Sequence, residues 1–253
     1  MTDEDIKFPL TKEEKEILSS KTERLNISVA AVLGRRIVAG GFSEDFLLPK
    51  EQELWELFGV SRTALREAVK TLVEKGIIRT KQKAGTLVNP RSKWNLFDRD
   101  ILTWLFDGKI DQALLRDIIE LRGSIEPTVV KLAAIRATSD DIKEMEEAYE
   151  QMANAKTIHE HSEADVRFHM AIFESCKNEL MLQFKMVIKT ILECSFKIQH
   201  DKEMGFHSSS EGLDLHRKIL EHIKAKDADG GEAFMKYIII RAKEELESNL
   251  AKL

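Results

Sequence analysis

The stretch from Leu48 to Val88 constrains this chain most, because within it a helix has to stop, turn and start again. Leu54, Leu57 and Phe58 mark the apolar face of a first helix. Gly59 interrupts that pattern and Val60 tucks into the turn. Ser61 then suits the cap of a second helix, since its hydroxyl can accept from the unpaired N–H groups of the first turn. Leu65, Ala68, Val69, Leu72 and Val73 recur at helical spacing and form the core face of that second helix. Gly76 stands where a helix end favours a residue with positive φ. Ile77–Thr80 and Thr86–Asn89 read as two strands around the tip Lys81, Gln82, Lys83, Ala84 and Gly85.

The second helix keeps Arg62, Thr63, Arg66 and Lys70 outward, with the arginines near its N-terminal end. That end of a recognition helix meets base edges in a major groove. There an arginine can donate two parallel hydrogen bonds to guanine O6 and N7, giving roughly 1–3 kcal/mol of discrimination. The hydroxyls of Ser61 and Thr63, with the free N–H groups beside them, suit a phosphate. A helical domain with a basic face is the plainer alternative, but turn, cap, stop and basic hairpin in this order favour DNA. The overall charge of −5 argues against a DNA binder until it is divided. Residues 25–93 hold 12 basic and 7 acidic side chains, whereas residues 94–253 hold 22 and 30. A basic module joined to an acidic one is what phosphate attraction at one end requires.

The same segment resembles the winged-helix domain of the GntR family. The residues that carry the resemblance are Leu48-Pro49, Glu51, Glu53-Leu54, Val60-Ser61-Arg62-Thr63, Arg66-Glu67-Ala68, Leu72, Gly76 and Gly85-Thr86. Three positions depart from the family pattern. Gln52 replaces an arginine, Glu44-Asp45 replaces a Pro-Gly pair, and Lys83 replaces a wing-tip glycine. The resemblance implies a winged helix-turn-helix whose DNA contacts come from Gln52, Ser61, Arg62, Thr63, Arg66, Lys81, Lys83, Gly85 and Thr86.

Four segments follow from the rest of the chain. Residues 1–24 are a charged arm. Residues 25–89 form the DNA-binding domain, opening with a helix to about Val38 that packs through Val29, Val32, Leu33 and Ile37. On that helix Arg35 and Arg36 read as solvated or as phosphate contacts. Residues 90–110 are a linker with a short aromatic helix over Lys93–Leu105, read as a plug that docks the domains together. From Asp111 to Leu253 no strand signal appears, and helical patterns cover 111–136, 139–154, 157–176, 178–201, 209–226 and 229–251, an all-α bundle. Ser139 reads as the cap of the second of these. This bundle resembles the FCD effector domain of the FadR subfamily, and the linker resembles that of members that respond to sugar acids such as galactonate. Two cysteines without a Cys-x-x-Cys support neither a disulfide framework nor a cysteine zinc site. With no run of 18 apolar residues, a cytoplasmic protein that does not engage a membrane is expected.

Asp165 and His169 lie four residues apart on one helix, so carboxylate and imidazole share a face as a chelate needs. Phe168 and Ile172 beside them turn that face inward, where an Asp is costly unless paired or coordinated. An Asp–His hydrogen bond is the simpler alternative. The FCD resemblance adds His216 as a third ligand of a divalent metal and puts the fourth position at Tyr237, a poor ligand that is expected to meet the effector instead. Oxygen and nitrogen donors together suit Zn²⁺, Ni²⁺ or Mn²⁺. The resemblance further implies Arg122 as a carboxylate-reading residue, with a salt bridge to Glu126 as the alternative, and Asn178 as a helix-start residue near the effector. His159, His161 and His207 read as exposed.

The resulting expectation is a ligand-responsive transcription regulator, most often a repressor in this family, binding a palindromic DNA operator as a homodimer. Its effector would be a small organic acid, a sugar acid before others. A metal-dependent hydrolase or lyase fused to a DNA-binding module is the rival, because three ligands with open positions also describe catalytic zinc sites. Against the rival, no general base is placed by sequence beside the ligands. An architectural DNA binder with no effector is a third possibility.

Overall fold

The computed structural model describes residues 10–19, 25–82, 84–108, 112–200 and 210–250. The chain divides into two compact units, Met1–Lys109 and Ile110–Leu253.

In the first unit, α1 (Lys12–Ser19) and α2 (Leu25–Val38) precede α3 (Glu51–Phe58) and α4 (Arg62–Glu74). Two strands, β1 (Ile78–Lys81) and β2 (Gly85–Val88), pair antiparallel with Ile78 opposite Val88 and Lys81 opposite Gly85. These strands sit one residue away from the bounds the sequence suggested. Both helix stops close in the same way. At Gly59 (φ 63°) the Val60 N–H reaches back to Trp55 O, and at Gly76 (φ 77°) the Ile77 N–H reaches Leu72 O. This six-residue loop satisfies carbonyls that a helix end otherwise leaves bare, and it needs the left-handed residue that glycine supplies. Asp45, in place of the family's glycine, also takes positive φ (62°) and is tied down by an ion pair to Arg79.

Val29, Val32, Leu33 and Ile37 of α2 are buried with Leu54, Phe58, Leu65, Ala68, Leu72, Ile77, Ile78 and Val88. Val73, expected in the core, is 37 % exposed, because it lies beyond the stripe that α4 turns toward α2. Arg35 stays partly solvated beside a carboxylate, whereas Arg36 is mostly covered in an ion pair. Arg36 pairs with Glu14 of α1, and Arg35 lies 3.3 Å from Asp107. The helix after the wing, α5 (Arg99–Asp107), packs on α2. Its Trp104 ring covers Gly34 so closely that a Cβ there would lie 2.2 Å from the ring. Lys75 anchors the start of α5 through Asp98 at 2.7 Å and Asp100 at 2.8 Å.

The second unit is helical throughout its described residues: α6 (Gln112–Arg136), α7 (Ser139–Asn154), α8 (Ile158–Ser175), α9 (Glu179–Leu182), α10 (Lys185–His200), α11 (Ser210–Lys224) and α12 (Ala228–Leu250). The single helix expected over 178–201 is two. The N–H groups of Gln183 and Phe184 bond three residues back, to Leu180 and Met181, which tightens the turn and ends α9. Thr138, not Ser139, caps α7, accepting from the Asp141 N–H in a reciprocal capping box. The long α6 packs against α8, α11 and α12, while α7 packs against α8 and α11. Pro127 sits inside α6, so the carbonyl of Gly123 lacks the hydrogen-bond donor a helix would give it. Among the described residues no helix is long and apolar enough to cross a membrane.

Candidate nucleic-acid interface and metal centre

The N-terminal end of α4 is built by its cap. Ser61 has extended backbone (φ −71°, ψ 155°), and its hydroxyl accepts from the Ala64 N–H at 3.2 Å. The next N–H groups therefore face outward beside Arg62 and Thr63, and helix polarity makes that end attractive to anions. Arg62, Thr63, Arg66 and Lys70 are all exposed. Among the described residues no carboxylate pairs with Arg62 or Arg66, whereas Lys70 lies 4.0 Å from Glu74. Arg62 is nonetheless held, since its guanidinium carbon lies 4.2 Å from the centre of the Trp55 ring on α3. Sequence reading gave Trp55 no part in this surface.

Of the other expected DNA contacts, Gln52 is exposed and donates to Glu56 Oε1 at 3.1 Å. Lys81 and Gly85 (φ 92°) are exposed at the wing, and Thr86 is half-buried with its carbonyl accepting from the Leu48 N–H. Lys83 lies outside the described residues.

In the second unit Asp165, His169 and His216 come together. One donor atom from each lies within 4.8 Å of the others, and all three side chains are buried. Helix α8 supplies the first two one turn apart and α11 supplies His216. Phe168, fully buried, sets its edge against both imidazoles, at 6.3 Å from His169 and 5.4 Å from His216.

The Nδ1 atoms of both imidazoles are spoken for. His216 Nδ1 lies 2.7 Å from the Gly212 carbonyl, which can only accept, so Nδ1–H is the donor. His169 Nδ1 lies 2.9 Å from Glu126 Oε2. Glu126 is in turn gripped by Arg122, Nε to Oε1 at 2.5 Å, with both residues buried on α6. Arg122 therefore takes the alternative weighed from the sequence, a salt bridge one turn along its own helix. Glu126 as a partner of His169 was not legible there. Fixing the proton on Nδ1 leaves each Nε2 as the lone-pair nitrogen, as in histidines that bind metals.

His216 Nε2 is 3.0 Å from Asp165 Oδ1 and, although buried, makes no hydrogen bond. The orphaned nitrogen fits a divalent cation, while the 3.0 Å separation suits a hydrogen bond equally. Burial alone would raise the Asp165 carboxyl, but the neighbouring imidazoles bring it down to about 2. Burial works against the His216 imidazolium, and Asp165 more than offsets it, so its pKa is raised.

The remaining expected residues stand elsewhere. Tyr237 is 44 % exposed on α12, while its neighbours Met235, Ile238 and Ile239 are buried, so the phenol does not join the cluster and the inward position beside it is aliphatic. Asn178 caps α9, its side-chain oxygen accepting from the Leu180 and Met181 N–H groups. His159 is exposed, as expected. His161 is not. It is half-buried one turn before Asp165, its ring edge-on to Phe196 at 6.5 Å, and burial lowers its pKa although Asp165 pulls the other way. His207 lies outside the described residues.

Residues 26–88 match the family described as bacterial regulatory proteins, gntR family, and residues 117–241 match the FCD domain. The galactonate operon transcriptional repressor of Escherichia coli is 33 % identical over 215 residues, covering 84 % of this chain and 91 % of that one. A putative L-lactate dehydrogenase operon regulatory protein of the same organism is 32 % identical, covering 74 % of this chain and 73 % of its own. Among solved structures, the Lar protein of Listeria monocytogenes superposes with a TM-score of 0.62 at 16 % identity, covering 90 % of this chain and 99 % of that one.

Proposed function

Because this chain belongs to the GntR family and carries an FCD domain, and so is a DNA-binding transcriptional regulator with a C-terminal effector domain, we propose that it represses an operon for use of a small organic acid, a sugar acid first. Its family regulates transcription, which separates this reading from a metal-dependent hydrolase or lyase. On this reading a cytoplasmic homodimer places one recognition helix in each half of a palindromic operator, with Arg62 and Arg66 reading base edges. Ser61, Thr63, Gln52 and the wing residues Lys81, Lys83, Gly85 and Thr86 hold the phosphates.

The effector is received in the second unit at Asp165, His169 and His216. The orphaned, buried His216 Nε2 is the observation that carries this part. These three residues would hold Zn²⁺, Ni²⁺ or Mn²⁺, and such a cation supplies a Lewis acid for a hydroxy-carboxylate. Glu126 keeps His169 in the tautomer that offers Nε2, and Arg122 keeps Glu126 charged. The guanidinium N–H donors of Arg122 that Glu126 does not take are the ones to meet an effector carboxylate. An effector shifts the protein off DNA only through a difference in its affinity for the two states.

The test is a gel shift on the DNA flanking the protein's own gene, repeated with aldonates, hexuronates and lactate. Release by one of these acids, abolished by His169→Ala, is the expected result. Retention of DNA under every acid, with no acid raising the melting temperature, would overturn the effector reading.

A further inference from the structure

We propose that Trp55 is a positioning residue for base recognition, holding the Arg62 guanidinium by its face so that its edge is presented to DNA. This rests on the reading above that Arg62 meets base edges. The two residues are seven apart in sequence, and the turn at Gly59 brings them together, with Val60 N–H bonded to Trp55 O at 3.1 Å. The ring centre then lies 4.2 Å from the guanidinium carbon, inside the range of a cation–π contact.

What holds an arginine decides what it can still do. A carboxylate would occupy two of its donors and cancel its charge. An aromatic face takes none of the five N–H donors, which lie in the guanidinium plane, and leaves the charge in place. The acids of α3 are close at hand, yet Glu53 accepts from the Lys50 N–H and Glu56 from Gln52, and no described carboxylate pairs with Arg62. Trp55 is half-buried and Arg62 exposed, so the stack restrains an otherwise mobile side chain at the rim of the recognition surface. Restraint before binding removes ordering that would otherwise weaken the complex.

A duplex selected by the wild-type full-length protein from a randomised pool serves as probe, together with single base-pair substitutions through one half-site. Affinities are measured for Trp55→Leu, Trp55→Phe, Arg62→Ala and the Trp55→Leu/Arg62→Ala pair, with poly(dI-dC) as the non-specific reference. Trp55→Leu is expected to weaken the selected duplex roughly 2–5-fold, the worth of an exposed cation–π contact. It should flatten preference only at base pairs that Arg62→Ala also flattens, and cost nothing further in the Arg62→Ala background. Trp55→Phe should keep most of the affinity, and poly(dI-dC) binding should not change. If Trp55→Leu does not fold, Trp55→Met against Trp55→Phe reads the same difference.

A loss spread evenly over all base pairs, or equal in both backgrounds, would make Trp55 a packing residue and overturn the inference. Flattening by Arg62→Ala with none by Trp55→Leu overturns this inference alone. No flattening by Arg62→Ala overturns the recognition reading and takes Trp55 with it.

Discussion

Replacing Glu126 by Gln keeps the shape of the side chain and removes its charge, so two separate losses follow. Glu126 is 1 % exposed and holds Arg122 mainly on Oε1 and more distantly on Oε2, the oxygen that faces His169. Burial alone would push its carboxyl up, yet Arg122 and His169 bring it down to about 2. The carboxylate is therefore the form the fold selects. Removing one member of a buried ion pair strands the other charge and costs about 3–5 kcal/mol. For a unit of this size that loss lowers the melting temperature by roughly 8–16 °C. Independently, a histidine that loses its outer carboxylate binds a metal about 10–100-fold more weakly. A second variant separates the two effects. Arg122→Met with Glu126→Leu removes the stranded charge, so most of the stability returns, while His169 loses its acceptor altogether and Zn²⁺ affinity stays low. Calorimetric melting of the full chain reads the first quantity, and competition with a chromogenic chelator reads the second. Zn²⁺ affinity within about twofold of wild type for Glu126→Gln, on a chain that still melts cooperatively, would refute the role given to Glu126.

Other outcomes follow from the same structure. Arg66→Ala should flatten preference at one base pair of each half-site by about 1–3 kcal/mol in a substitution series, and a uniform loss across the site would mean a phosphate contact instead. Asp165 and Glu126 have folded pKa values of about 2 against ordinary values of 3.8 and 4.5. Since both are depressed, their contribution to stability is whole above the ordinary values and is lost as pH falls from there toward 2. Near-ultraviolet circular dichroism should show the second unit loosening in that window, and a signal flat down to pH 2 would contradict it. Gly34→Ala forces a methyl into the Trp104 ring, 2.2 Å from the ideal Cβ, and should lower stability by about 1–3 kcal/mol. A melting curve unchanged by Gly34→Ala would show that α5 is free to shift.

The helix-turn-helix was legible because its signals are local. Gly59, Ser61 and Gly76 each act within one turn of where they stand, and the structure uses each of them as expected. The Asp165–His169 pair was legible for the same reason, four residues being one turn of helix. Periodicity says which face a residue occupies but not which neighbour meets it there. Glu126 and His169 are 43 positions apart on two helices, and no pattern on either joins them. Nothing local marks Trp55 as part of the surface, since only the tertiary turn brings Arg62 over its ring. The polar neighbours of His161 point to exposure, but it shares the inward face one turn before Asp165. Tyr237 shows the opposite error, since a one-residue step along α12 turns a side chain by about 100° and carries it from the buried stripe to the surface.

Pro127 gives the buried pair on α6 a mechanical meaning. The ring withholds the amide that would have tied residue 127 to the carbonyl of Gly123, so the two halves of a 25-residue rod are joined there by one rung fewer. The missing rung runs from position 127 to the carbonyl of residue 123, and the Arg122–Glu126 bond runs alongside it like a splint. Whatever draws Arg122 toward an arriving acid anion loosens that splint, so amides next to the missing rung should exchange with deuterium faster while those at the rod's ends hold.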